Sequence, residues 1–428
     1  MTLSPGVNGE ATSGKWFYYR PFGIRLRQPA AGRALLSLGI CFNAISRVNL
    51  SLTHRPQPTI QIRMGSRDHP DHLRALHLSG LICFPMALRA ANELKVFDII
   101  ARAGPKAQLT SSEIVSKINT ANPCAAAALE RILRILVANS ILIMSTRGGG
   151  GPEGTPEHVY GLSSDGRCLV PAEEEEEGRS HEGLSVAALV QLSYDTASMD
   201  GFNHLVDAVV DGRSTPFHAA HGRELYEFVA GEPKYMELFY QGMRSIVRIV
   251  LNEVLQVYRG LDDVNELVDA GGGIGTSISL IVSRYPNIRG VNFDLPSVIA
   301  GAPRYKGVEH VAGNMFESVP KAEAIFMRAI LHNWDDDHCI KLLKNCWNAL
   351  PKGGKVMNVE FVIPTELGTD HVSCYTTGLD LIMMACSTGG RERTVDEYLS
   401  LANRAGFADT KIFPIRGGLT VMEFYKTP

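Results

Sequence analysis

No two cysteines of this chain are spaced C-x-x-C, so neither a zinc site of the usual pattern nor a redox dithiol is indicated. The eight that exist (Cys41, Cys83, Cys124, Cys168, Cys339, Cys346, Cys374 and Cys386) are scattered through mostly apolar or helical stretches. They read as reduced, core-filling thiols of a cytoplasmic protein rather than as a disulfide framework. No apolar run approaches the roughly 18 residues that a membrane-spanning helix needs. Acidic residues are almost missing from residues 1–63, where Glu10 stands alone against eight Lys/Arg. That stretch carries +7 and leaves −10 on the rest of a chain whose net charge is −3. A folded body of that sign does not offer the broad basic surface that nucleic acid requires.

Residues 1–63 hold one apolar run, Ala34–Phe42, too far from the N-terminus for a secretory signal. An organellar transit peptide fits the composition. Met64-Gly-Ser, however, reads as an internal start, which favours a disordered or non-native extension with little packed structure. The remaining chain has length enough for two domains.

Apolar spacing predicts a helix over His77–Ala101, kinked or divided at Pro85. A short helix opens at Ser111-Ser-Glu113, and a longer one, Ala125–Ala138, follows Asn122-Pro123. Two strands, Ile141–Ser145 and His158–Leu162, flank a glycine-rich loop. Helix, short helix, helix and hairpin form a winged-helix pattern. Its would-be reading helix offers only Arg131 and Arg134 among Ala, Ile and Leu, a face suited to packing on protein rather than to base edges. Glu173–Glu177 reads as a solvated loop. Helices resume over Leu184–Met199, Phe202–Val210, Arg223–Phe228 and Pro233–Tyr258. Strands then alternate with helices at 266–270, 290–294, 308–312, 323–328 and 355–361, before a final pair near 409–414 and 419–425. This predicts an α/β doubly wound sheet, mostly parallel with the last strand antiparallel. The domains are then 1–63 (extension), 64–185 (winged-helix-like) and 186–428 (sheet). No internal repeat is evident.

Glu266-Leu-Val-Asp-Ala-Gly-Gly-Gly-Ile-Gly275 runs an apolar strand into a glycine-rich turn, and Asp294 ends the next strand. Glycines let backbone pass close under a ligand, helix N–H groups face it, and an acid on the second strand tip can grip a ribose diol. The glycines fall at 271, 273 and 275, not in the G-x-G-x-x-G of nicotinamide sites, and no P-loop lysine follows. The pattern suits a nucleoside without phosphates, such as S-adenosyl-L-methionine. Ligands of these sheets sit beyond the carboxyl ends of the strands, which nominates Gly271–Gly275, Asp294, Asn314-Met315, Arg328 and Glu360 as one lip. His332 lies four residues beyond Arg328, on that side. Methylating a phenol needs a base with pKa near 7, and histidine serves best when a carboxylate fixes its other nitrogen. Glu360 and Glu392 are both candidates for that carboxylate. Asp335, Asp336 and Asp337 are consecutive and cannot all converge on a metal, so no metal is expected.

In LVDAGGGIG (267–275), NFDLPSVI (292–299), GVEHVAGNMF (307–316), AIFMRAILHNW (324–334), HCIKLLKNCWNALPKGGKV (338–356) and TGGRERT (388–394), the chain from Met64 to Pro428 resembles the plant phenolic O-methyltransferases of the caffeic acid and flavonoid group. The resemblance implies His332 as general base, flanked by Glu360 and Glu392. It implies cofactor contacts from Gly271, Gly273, Asp294, Met315 and Arg328, the last where many relatives have lysine. Asn314 stands where relatives have aspartate, and so does Asn333. An apolar acceptor pocket is implied at Leu192, Tyr235, Phe239, Met243, Met383 and Met384. Ser193 and Ser387 replace asparagines of the lignin-type enzymes, which argues against monolignol specificity. The family is homodimeric, the segment near His77–Phe84 of one subunit closing the pocket of the other. The expected activity is methyl transfer to a hydroxycinnamate or flavonoid hydroxyl. A catalytically inactive cofactor-binding homodimer and an N-acetylserotonin O-methyltransferase are the alternatives, and the glycine spacing counts against a nicotinamide dehydrogenase.

Overall fold

The computed structural model describes residues 71–148, 154, 156–171 and 184–427, together with two short strands, β1 (Trp16–Tyr19) and β2 (Ile24–Arg27), paired antiparallel. The expected extension over residues 1–63 otherwise lies outside the described residues, as does the acidic run Glu173–Glu177. The compact unit that holds everything below spans His69–Pro428.

Its first part is helical. The helix expected over His77–Ala101 is three: Asp71–Ser79, Cys83–Glu93 and Val96–Arg102. Pro85 is not the divider. It sits in the first turn of the second helix, where a missing N–H costs nothing. The breaks come from the turn at Gly80 and from Lys95, whose φ of 56° is left-handed. Ser111–Val115 opens with a capping box between Thr110 and Glu113. Helix Ala125–Ala138 turns Leu129, Leu133 and Leu136 inward at four- and three-residue spacing, onto Phe97, Ile100 and Tyr160. The hairpin follows as β3 (Leu142–Arg147) and β4 (Glu157–Leu162).

The second part is a seven-stranded sheet in the order β10-β11-β9-β8-β5-β6-β7. These strands are β5 (Glu266–Ala270), β6 (Arg289–Asp294), β7 (Val308–Ala312), β8 (Ala324–Arg328), β9 (Lys355–Phe361), β10 (Asp409–Pro414) and β11 (Leu419–Tyr425). All pairings are parallel except those of β11 with its two neighbours. Alternate residues feed two cores. In β8, Ile325 and Met327 face helices Asp336–Ala349 and Val395–Arg404, whereas Ala324 and Phe326 face Pro233–Val257 and Thr276–Arg284. Burial on both faces explains why the inner strands read as mostly apolar runs.

Further departures from expectation lie in the helices before and within the sheet part. Leu184–Met199 divides at Asp195, which caps a second helix, Thr196–Phe202. A helix over Pro216–His221, capped by Thr215, was not expected. Nor was His371–Cys386, started by Asp370. Among the described residues no helix is long and apolar enough to cross a membrane.

Candidate active site

β5 delivers the chain into a turn in which Gly271, Gly273 and Gly275 have φ of 74°, 59° and 88°. That is left-handed backbone, which side-chain-bearing residues adopt only under strain. Gly272 is required for space instead. A Cβ there would lie 2.2 Å from Asn292 Oδ1. The turn is tied to β6 throughout: Gly271 N donates to Phe293 O (2.8 Å), Gly273 N to Asp294 Oδ2 (2.8 Å), and Asn292 Nδ2 to Gly273 O (2.9 Å). Asn292 is a buried turn-holder that the sequence reading missed. Its position two residues before Asp294, pointing to the same strand edge, is the signal that was there to use.

Met315 lies against this turn, its sulfur 3.6 Å from where a Cβ on Gly271 would be. Asn314 closes a local turn, its Oδ1 accepting from Phe316 N (3.0 Å) and its Nδ2 donating to Glu317 (3.2 Å). Beneath the turn, Asp269 is buried and its carboxyl is pushed up to about 7 by burial, with Arg328 opposing. Arg328 is pulled down by burial and held back by Asp269 and Glu360.

β8 ends at Arg328, and Ala329, with φ of 52°, turns the chain into a single 3-10 turn, Leu331–Asn333. Asn333 Nδ2 braces the bend by donating to Ala329 O (3.0 Å). An aspartate there has no proton to give. From β9, Glu360 Oε1 accepts the N–H groups of Ile330 (3.2 Å) and Leu331 (3.0 Å). His332 Nδ1 meets Glu392 Oε1 at 2.7 Å. Of the two candidate carboxylates, Glu392 therefore bonds the ring and Glu360 bonds the main chain of its loop. One donor atom of each of these three residues falls within 4.8 Å of the others. An ionised carboxylate only accepts, so Nδ1 carries the hydrogen and Nε2 keeps its lone pair. Burial weakens the basicity of His332, yet Glu360 and Glu392 outweigh it and the net shift is upward. Burial pushes Glu360 up to about 7, against the pull of His332.

Arg393 is the second residue missed. It is fully buried and donates to Leu331 O (2.9 Å), Trp334 O (2.7 Å) and Asp336 Oδ1 (2.7 Å), clamping both ends of the His332 turn. Gly390 lets the Glu392 segment pass, since a Cβ there would lie 3.1 Å from His332 O.

Leu192, Tyr235, Phe239 and Met243 come together in one cluster with Phe228, whose ring stands edge-on to Tyr235 at 5.2 Å. Tyr235 Oη pairs with Ser198 (2.9 Å). Ser193 donates to Leu189 O of its own helix (2.9 Å). Met383 and Met384 lie outside that cluster, in the last turn of His371–Cys386, which Ser387 caps beside Gly390. That helix packs on Pro216–His221 and Thr196–Phe202. A cleft of about 740 Å³ is lined by Phe228 and Tyr235 of that cluster and another of about 690 Å³ opens between Val257 and Tyr425, and His332 lines neither.

Residues 202–408 match the O-methyltransferase domain, and residues 76–172 match the O-methyltransferase dimerisation domain. The chain is 48% identical over 365 residues to (S)-scoulerine 9-O-methyltransferase of Coptis japonica, covering 85% of this chain and 92% of that one. It is 41% identical to caffeic acid 3-O-methyltransferase 1 of Populus tremuloides, over 84% and 95% of the two chains. Human N-acetylserotonin methyltransferase in complex with SAM shares the fold, with a TM-score of 0.69 at 22% identity over 85% of this chain and all of that one. The glycine turn, the buried histidine and these matches lead to one conclusion: the chain belongs to the plant phenolic O-methyltransferases and is an S-adenosyl-L-methionine-dependent O-methyltransferase.

Proposed function

We propose that the protein methylates a phenolic hydroxyl of a small aromatic acceptor of hydroxycinnamate or flavonoid type, with His332 as general base and without a metal. The observation that carries this is the 2.7 Å bond from His332 Nδ1 to Glu392, which leaves Nε2 as the proton acceptor. Bound cofactor supplies an electrophilic methyl group on a sulfonium. The chain's part is to hold the acceptor, take its proton at Nε2, and keep the resulting imidazolium beside two carboxylates. The same three side chains are near enough to grip a cation, and the chelator arm of the test below decides between a cation and the base.

On the cofactor side, Gly271, Gly273, Asp294, Asn314, Met315 and Arg328 form the lip, with Asp294 for the ribose diol. The acceptor is clamped by Leu192, Tyr235, Phe239, Met243, Met383 and Met384. Ser193, whose hydroxyl is engaged by its own helix, and Ser387 leave that wall mainly apolar. We divide the chain at 64–185 and 186–428, beside the limits of the two matched domains. A homodimer fits the exposed Leu76, Leu78, Leu81 and Ile82, which face no core in one copy. A cytoplasmic setting rests on the unpaired thiols.

The test is His332→Gln, assayed with caffeic acid, a flavonoid and scoulerine, with cofactor binding followed by calorimetry. Turnover falls by about 100-fold or more while cofactor affinity holds, and chelators leave the parent rate unchanged. A variant that keeps most of its activity defeats the base assignment.

A further inference from the structure

Three parallel strands bring three polar side chains into one row. Asp269 of β5 stands in register with Asn292 of β6, and Asn292 with His310 of β7. Register partners on neighbouring strands point to the same face, and here that face carries the glycine turn. A Cβ on Gly272 would lie 2.2 Å from Asn292 Oδ1 and 2.7 Å from Asp269 Oδ2. One on Gly275 would lie 3.1 Å from His310 Cε1 and 3.3 Å from Asn292 Nδ2. The turn rests on the row at both ends.

The row fixes its own hydrogens. Pro303 O can only accept, so His310 Nε2, 2.8 Å away, carries the hydrogen and Nδ1 is the acceptor of the neutral ring. Asn292 Nδ2 donates to that Nδ1 (3.1 Å) and to Gly273 O (2.9 Å). Both amide hydrogens are then spent. The amide cannot be reversed, since Oδ1 in place of Nδ2 would face Gly273 O. What remains is Asn292 Oδ1 against Asp269 Oδ2, both buried and neither with a donor. The free buried donors of β8 and β9 do not serve them. Arg328 acts on Asp269 by its charge, but its free Nε makes no hydrogen bond there. Asn358, in register with Met327, lies on the opposite face of the sheet, as do the free Trp347 and Tyr398. The charged groups acting on Asp269 are Arg328 from β8 and Asp294 from β6, and helix Thr276–Arg284 brings the Ile278 N–H.

We infer that Asp269 is a positioning residue for the cofactor, a neutral acid whose hydroxyl donates to Asn292 Oδ1 and so locks the amide that holds Gly273. The inference rests on the glycine turn as the cofactor lip. Burial pushes Asp269 up to about 7, against Arg328 and the Ile278 N–H, so the acid form is at hand near neutral pH. Loss of that proton sets a carboxylate against Oδ1, and the amide must turn or withdraw from Gly273. Cofactor affinity then falls as pH rises through about 7, the direction required when the bound form holds the extra proton.

Asp269→Asn tests this, because its amide donates at every pH. Infrared difference spectra of the full-length parent against D269N at about pH 6 should show the carbonyl stretch of a protonated carboxyl, which an ordinary aspartate no longer gives there. Binding of S-adenosyl-L-homocysteine, the cofactor after methyl transfer, is followed by calorimetry from about pH 6 to 9. The ligand's own amino group titrates in that range, and the ratio of the two proteins cancels it. Affinity of the parent should fall relative to D269N by about fivefold or more across the range. A ratio that stays within about twofold, or the lack of the acid band, overturns the inference. Should D269N not fold, Asp269→Ser, smaller and likewise a donor at every pH, takes its place. Failure of the lip reads differently: Gly272→Ala then binds the ligand as tightly as the parent while the acid band remains.

Discussion

The glycine turn, the first wall of the site, is held by β6, the next strand in sequence, through main-chain bonds and the Asn292 and Asp294 side chains. The His332 turn is held by side chains, and its partner Glu392 arrives from 60 residues further along the chain. The difference follows from what each must do. A cofactor lip needs backbone N–H groups and empty space, which glycines supply locally. A base needs a fixed ring and a tuned charge, which only buried ionisable groups from other elements provide. Local means suffice for binding; tuning calls for tertiary structure.

Arg393→Met is the change that strikes the second wall, the His332 turn, hardest. It takes the guanidinium donor from the Leu331 and Trp334 carbonyls, which keep only Trp334 N–H and the Cys339 thiol, and leaves Asp336 with Arg391 alone at 3.5 Å. Asp336 is 42% exposed and is screened by water, so the carbonyls dominate. We expect a loss of about 3 kcal/mol in urea unfolding, with turnover collapsing in whatever protein still folds. A loss below about 1 kcal/mol contradicts the clamp.

On the first wall the harshest change is Gly272→Ala, which drives a methyl into Asn292 Oδ1 and the Asp269 carboxylate, 2.7 Å away. Overpacking of this kind costs about 2 kcal/mol, or roughly 30-fold in cofactor affinity if the strain is relieved by moving the turn. Gly378→Ala is the control. It sits in His371–Cys386 with nothing within 4 Å, and calorimetry should find cofactor binding unchanged. Equal affinity in the two variants erases the contrast between the walls.

The same contrast sorts what was legible beforehand. Strands β5, β6, β8, β9 and β11 were readable because burial on both faces leaves mostly apolar runs between glycine and proline punctuation, whereas the exposed edge strands β7 and β10 were placed by the alternation of strands and helices. The lip was readable because strand ends in such a sheet converge by topology. The helices around the acceptor wall were not. Pro216–His221 has its signal in Thr215-Pro216, but six residues carry too little periodicity to register. His77–Ala101 kept its helical spacing across two breaks, and nothing in the type of residue 95 announces a left-handed lysine. Arg393 was invisible for a deeper reason. Its partners are carbonyl oxygens about 60 residues away, and a carbonyl has no letter in the sequence.

Titration probes both walls more gently. Glu360 and Asp269 both stand near 7 in the folded protein against ordinary values of 4.5 and 3.8. Over the window between those limits the folded state holds more protons than the unfolded one, so stability falls as pH rises from about 4 to 7. His332, also raised, adds to the fall only above its ordinary value of 6.5. Glu360→Gln should flatten this decline in melting temperature while leaving the share of Asp269. If the parent and variant slopes coincide, Glu360 is not the titrating group.

The smallest effect is expected at the hinge between the walls. Ala329 holds φ of 52°, which for a residue with a Cβ costs about 1–2 kcal/mol. Glycine removes that strain but adds about 0.5–1 kcal/mol of unfolded-state freedom. The two nearly cancel, so Ala329→Gly should shift stability by less than about 1 kcal/mol, toward greater stability. Its rate is the sharper reading. The turn is fixed from outside by Glu360 and Arg393, so a flexible hinge beneath it should leave kcat within about twofold, some 0.4 kcal/mol. A large loss of rate in a stable Ala329→Gly protein would mean that the backbone itself aims the histidine, and the division between a wall held by its neighbouring strand and a wall held by side chains from distant elements would have to be redrawn.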